Sequence, residues 1–212
     1  MHFVFVHGWG FNAGIWRDVA ARLTGCEVSF VDLGFVGGGT AAAETLPVDA
    51  VAVGHSLGVL WLLRAVEEGR APPMRALVSI QGFDRFCPYI PPARVQSMRR
   101  ELRRDAAATM QTFWHACGSA PFANPDSLNS ERLDEGLGWL TQWDARRAKE
   151  RLACPVLALA AKDDRIVPQP MSEAIWGGGE IRWSEGGGHV LPLNRPEWCV
   201  RHVLDLARDL EP

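Results

Sequence analysis

Tyrosine is nearly missing from this 212-residue chain: there is one, against nine tryptophans and nine phenylalanines. The aromatic weight therefore falls on rings suited to filling a core or walling a pocket. Paired cysteines are missing as well. Cys26, Cys87, Cys117, Cys154 and Cys199 are odd in number, widely spaced and form no C-x-x-C motif. A disulfide framework and a zinc site are excluded on that pattern, and a reduced, cytoplasmic protein is the expectation. No apolar run comes near the ~20 residues of a membrane span. The opening MHFVFVHGWG has no basic segment and only a short apolar core, so it does not read as a signal peptide. Internal repeats and low-complexity tracts are absent. So is a strong charge of either sign: the formal net charge of -3 argues against nucleic acid as a general partner. No motif calls for a metal or a cofactor.

What is present suits one globular domain spanning residues 1–212: 47% hydrophobic and 22% charged residues fill a sizeable core and a wet surface. Short β-branched or apolar runs at 3–6, 28–33, 51–54, 76–81, 155–161 and 180–183 read as strands. Several are apolar throughout, as expected of strands covered on both faces. Helical spacing falls between them, at 15–23, 57–68, 144–152, 169–176 and 196–210. The alternation predicts an α/β fold, with about six mostly parallel strands and helices on both sides. Residues 84–143 break the rhythm. They open on CPYIPPARV, hold two or three helix-like pieces and contain no strand signal, which predicts a compact helical cap inserted after the fourth strand. The link from Leu33 to Val51 carries GFVGGG and leaves room for one short helix.

Chemistry concentrates in VAVGHSLGVLW, which sets Gly54-His55-Ser56-Leu57-Gly58 between an apolar strand and an apolar helix. G-x-S-x-G in that context is a nucleophile elbow. The glycines let strand and helix pack closely, and the helix N-terminus offers N–H groups to a developing oxyanion. A serine hydroxyl needs a base, and the base needs an orienting acid. Asp163 and Asp164 follow strand 155–161, and His189 follows strand 180–183 behind Gly186–Gly188. The order Ser56, Asp164, His189 fits the fold, with Asp163 and the more remote Asp84 as alternative acids. His7, His55, His115 and His202 have no comparable placement. A second oxyanion donor is expected from the His7-Gly8-Trp9-Gly10 turn after the first strand: the N–H of Trp9 beside that of Leu57, with the indole of Trp9 walling the acyl pocket.

At these residues the chain resembles the α/β-hydrolases, and within them the pimeloyl-acyl-carrier-protein methyl ester esterases of biotin synthesis. VHGWGFNAGIWRDVAARL with VSFVDL, GLGWLTQWDARRAKERLACPVLALAAKDDRIVP and GGGHVLPLNRPEWC carry the resemblance over about two thirds of the chain. It implies a serine carboxylesterase working through an acyl-enzyme on a small acyl ester, with an acyl carrier protein as the partner that delivers it. The family's acid precedes x-x-Val-Pro, which selects Asp164 over Asp163. A family acyl-binding segment that begins with Phe aligns with FWHAC and implies substrate contacts from Phe113, Trp114 and Cys117, although the buried face of a cap helix would read the same way. The N-terminal hairpin common in the fold has no counterpart here. The shortened link after GFVGGG leaves a sheet face for a partner or a second copy, so monomer and homodimer both stay open.

Within RVQSMRRELRRD, Val95, Met98 and Leu102 predict an inward stripe of the first cap helix, with Arg99, Arg100, Arg103 and Arg104 pointing outward. These arginines form either a docking face for an acidic carrier or a solvated face. The reaction is ester hydrolysis, another hydrolysis of the same fold (lactone, thioester or C–C bond), or binding without catalysis.

Overall fold

The computed structural model describes residues 1–37 and 46–210. Six strands form one sheet: β1 (His2–Val6), β2 (Glu27–Val31), β3 (Val51–His55), β4 (Ala76–Ile80), β5 (Val156–Ala161) and β6 (Glu180–Ser184). Their order is β2-β1-β3-β4-β5-β6, and every neighbouring pair is parallel. The central strands β3 and β4 are buried at every residue, whereas β2 and β6, at the sheet edges, are partly exposed. Continuous apolar runs thus mark strands with helices on both faces.

The chain steps from β1 out to β2, then returns to place β3 on the other side of β1. The loops after β1 and β3 therefore diverge, and the crevice between them lies at the carboxyl ends of the strands, where open α/β sheets bind ligands. Helix α1 (Arg17–Ala20) is short and follows a 3₁₀ turn, Ala13–Trp16. The spacing over 15–23 had suggested one longer helix. Instead the Asn12 side chain accepts from Gly14 N–H at 2.8 Å and tightens the start into a 3₁₀ turn that buries Ile15 and Trp16. Helix α2 (Leu57–Glu67) is buried along its first seven residues and packs on β1 and β3.

Between β4 and β5 the described residues contain no strand. Helices α3 (Pro92–Arg104), α4 (Ala106–Ala116) and α5 (Ser130–Gln142) fill this stretch, with α3 packed on both of the others. Its two ends lie side by side: Arg85 bridges Asp144, and Ala145 N–H donates to the Asp84 carbonyl at 2.8 Å. Helix α6 (Arg146–Glu150) then leads to β5, and α7 (Gln169–Trp176) joins β5 to β6. Helix α8 (Leu191–Asn194) precedes α9 (Pro196–Asp209), and both reach α1. In the link after β2, Gly37 N–H donates to the Ser127 carbonyl at 2.8 Å, and Asn129 N–H donates to that of Phe35 at 3.0 Å. The short helix expected after this loop falls largely on residues 38–45, outside the described residues.

Candidate active site

Ser56 stands between β3 and α2 at φ 53° and ψ −121°, outside the usual range for a non-glycine residue. The turn is held by Ser56 N–H donating to the Ile80 carbonyl at 3.0 Å. Its neighbours have to be glycine. A Cβ on Gly54 would sit 2.8 Å from the Val59 nitrogen, and one on Gly58 would run into the Val6 carbonyl of β1. The strain and the crowding both serve to lift the hydroxyl above the sheet edge.

Two loops from the far side of the sheet meet this hydroxyl. His189 Nε2 lies 2.9 Å from Ser56 Oγ, and His189 Nδ1 lies 2.8 Å from Asp164 Oδ2. With a carboxylate on Nδ1, that nitrogen carries the proton and Nε2 is free to accept from serine. Asp164 Oδ1 accepts from the N–H groups of Ile166 and Val167 at 2.8 and 2.9 Å. The side chains of Asp164 and His189 are each 1% exposed, so water does not compete for their hydrogen bond.

The other acids are engaged elsewhere. Asp163 accepts from Gly187 and Gly188 N–H at 3.2 and 3.0 Å and shapes the glycine loop before His189. Asp84 pairs with Lys149 at 2.6 Å. The other histidines are also accounted for. His7 holds the β1–β2 corner through the Gly8 carbonyl and Leu33 N–H, His115 is exposed, and His202 packs edge-on against Trp198. His55 is fully buried, and its Nε2–H donates to the His189 carbonyl at 2.8 Å. Burial first, and then the neighbouring His189, holds its ring well below the ordinary histidine range. Burial, with a smaller push from the Asp164 charge, raises the Cys117 thiol far above the thiolate range, so it is no nucleophile. Neither Trp9 N–H nor Leu57 N–H has a protein acceptor among the described residues.

Residues 3–202 match the family model described as alpha/beta hydrolase family. The chain belongs to the alpha/beta hydrolase family. It is 32% identical to a pimeloyl-[acyl-carrier protein] methyl ester esterase of Sodalis glossinidius, over 78% of this chain and 76% of that protein. It is 27% identical to the same-named protein of Klebsiella pneumoniae, over 99% of this chain and 94% of the relative. Among solved structures, an esterase of Exiguobacterium antarcticum superposes with a TM-score of 0.84 at 16% identity, covering 98% and 92% of the two chains. That likeness is one of fold.

Ser56 opens onto a cavity of about 390 Å³. Ser56, Leu57 and Trp9 form its floor, and Phe83, Phe86, Ile90, Val95, Met98, Leu137, Leu140 and Ile166 make it apolar. Arg94, Glu101 and Arg165 stand among its lining residues. Trp9 is pinned in place, its indole N–H donating to the Leu133 carbonyl at 2.8 Å and its ring meeting Phe113 edge-on at 4.7 Å. Helix α4 faces the cavity with Thr109, Thr112, Phe113 and Ala116, an i, i+3, i+4, i+7 stripe.

Of the three contacts implied on α4, Phe113 lines the cavity, while Trp114 and Cys117 do not. They sit on the adjacent stripe and face the loops of the site. Trp114 Nε1–H donates to the Gly10 carbonyl at 2.9 Å, and the Cys117 carbonyl accepts from His189 N–H at 2.9 Å. Resemblance located the segment, and helix rotation decided which residues face the cavity.

The arginines of α3 are also corrected. Arg99 does not point freely outward. It grips Asp134 of α5 with two hydrogen bonds of 2.9 and 2.6 Å, and Arg103 adds a third at 3.1 Å. The Arg99 hydrogen bonds, ahead of that from Arg103, pull the Asp134 carboxyl down to about 2. Arg100 and Arg104 are exposed and have no ion-pair partner among the described residues. The clamp joins residues 31 and 35 positions apart, beyond any local pattern.

One buried side chain at the site escaped the sequence reading. Gln81, directly after β4, is 2% exposed and contacts Asp164. The available signal was an amide at the carboxyl end of a mostly apolar strand.

Proposed function

We propose that the protein is a serine carboxylesterase with Ser56 as nucleophile, His189 as general base and acid, and Asp164 as the orienting carboxylate. The reading rests on one observation, the hydrogen-bonded chain Ser56–His189–Asp164 opening onto an apolar cavity. In the first half-reaction Ser56 Oγ attacks the ester carbonyl as its proton passes to His189 Nε2. The N–H groups of Trp9 and Leu57 receive the oxyanion, each contributing about 10²–10³ in rate. The tetrahedral intermediate expels the alcohol, which takes the proton from His189, and leaves an acyl-serine. Water, deprotonated by the same imidazole, then releases the acid and restores Ser56.

The cavity volume and its walls suit a short or medium acyl chain. The names of the relatives point to the methyl ester of a carrier-linked dicarboxylic acyl group, as in biotin synthesis, and we propose that class as substrate, with an acyl carrier protein as its bearer. The helical stretch 84–143 acts as the cap over the cavity, and the proposed setting is the cytoplasm, where the five free cysteines stay reduced. Of the four α3 arginines that form either a docking face or a solvated face, we assign carrier docking to Arg100 and Arg104 alone, since Arg99 and Arg103 are spent on Asp134. The test is a panel of methyl esters, lactones and thioesters, each offered free and carrier-linked. Highest kcat/KM on the carrier-linked methyl ester supports the reading, and preference for a lactone or a thioester would replace it.

A further inference from the structure

We propose that Gln81 is a positioning residue of the hydrolytic site, setting the orientation of the Asp164 carboxylate and the share of its negative charge that reaches His189. The inference rests on the roles given above to Ser56, His189 and Asp164.

Gln81 has a backbone φ of 51°, in the left-handed region that is strained for a residue with a side chain. Its N–H donates to the Leu159 carbonyl of β5 at 2.7 Å. That bend directs the amide into the loop that carries His189. Nε2 donates to Asp164 Oδ2 at 2.8 Å and to the Gly188 carbonyl, while Oε1 accepts from Leu191 N–H at 3.0 Å. One amide therefore brackets His189 from both sides along the chain and also touches its acid.

Shaping the loop does not require Gln81. Asp163 holds Gly187 and Gly188, Asn194 Nδ2 donates to the Gly187 carbonyl at 3.0 Å, and His189 N–H is held by the Cys117 carbonyl. What no other side chain among the described residues shares with His189 is the contact to Asp164 Oδ2. Oδ2 thus has two donors, Gln81 and His189, each at 2.8 Å. A second donor fixes the oxygen in the plane of the imidazole and draws charge from it. Without that donor the carboxylate swings more freely and gives the imidazolium more charge, so the imidazolium keeps its proton to higher pH.

The test uses Gln81→Met, which fills the volume without an amide, and Gln81→Gly, which suits the left-handed backbone should the methionine variant fold poorly. Both are titrated with a fluorophosphonate so that rates refer to competent sites, and kcat, KM and the pH profile are measured on a small free ester. We expect kcat per titrated site to fall about 10-fold with KM within a factor of about two. The acidic limb of kcat/KM should move about half a pH unit upward. Wild-type kcat per site with an unmoved limb in either variant, even alongside a lower melting temperature, would overturn the proposal and leave a purely structural residue. Failure of the wild-type protein to label at Ser56 would overturn the hydrolase reading and this inference together.

Discussion

The carboxyl edge of the sheet and helix α3 place their side chains by different rules. At the edge, Ser56 and His189 are 133 positions apart in sequence and meet at 2.9 Å. On α3, Arg99 and Arg100 are adjacent in sequence, yet one is locked to Asp134 and the other stands free in solvent. The edge is governed by the backbone: parallel strands end together, and residues just past their ends converge whatever the sequence distance. The helix face is governed by which partner the neighbouring helix happens to present, and charge pattern along one helix does not encode that.

Exchanging the two acids at the edge tests this contrast most strongly. Asp164→Asn should cut kcat by about 10³–10⁴, because the amide cannot hold His189 in the right tautomer. Asp163→Asn should cost less than about 10-fold, since it only loosens the Gly187–Gly188 loop. Comparable losses would mean that contact with His189 does not separate the two acids.

The arginines should divide in a parallel way. Charge reversal of Arg100 and Arg104 together should lower kcat/KM on a carrier-linked ester about 10-fold while sparing a small free ester, as expected when rim charges steer an acidic partner. Equal effects on both substrates would remove the docking role. Arg99→Ala should instead lower the melting temperature by about 2–4 °C, corresponding to about 1 kcal/mol for a partly exposed bidentate pair, with no dependence on the substrate tested.

A smaller effect comes from pH. His55 is held neutral by burial, below its ordinary 6.5. The unfolded chain takes up a proton near that pH and the folded chain does not, so the contribution is complete above about pH 6.5 and is lost as pH falls beneath it. The slope is at most about 1.4 kcal/mol per pH unit. Melting curves from pH 7.5 to 5 should show this decline, and His55→Asn should flatten it.

These differences also explain what was legible in the sequence. The strand order could not be read from it, but the strands and the elbow could, because continuous apolar runs and G-x-S-x-G report directly on burial and on a crowded turn. Asp164 was separable from Asp163 only by resemblance. The structure adds the reason: one accepts from His189, the other from the loop that carries it. The segment FWHAC reads equally as cavity wall or as the buried face of a helix, because a segment match is blind to helix rotation; Trp114 and Cys117 take the buried reading and Phe113 the cavity one. Gln81 was passed over because its role depends on a left-handed bend and on partners up to 110 positions away.

The most direct test is intact mass followed by peptide mapping after treatment with a fluorophosphonate. A single adduct on Ser56 is expected, lost in Ser56→Ala together with nearly all esterase activity, while the fold and melting temperature are kept. An unlabelled wild-type protein, an adduct on another residue, or more than a few per cent of activity left in Ser56→Ala would contradict it.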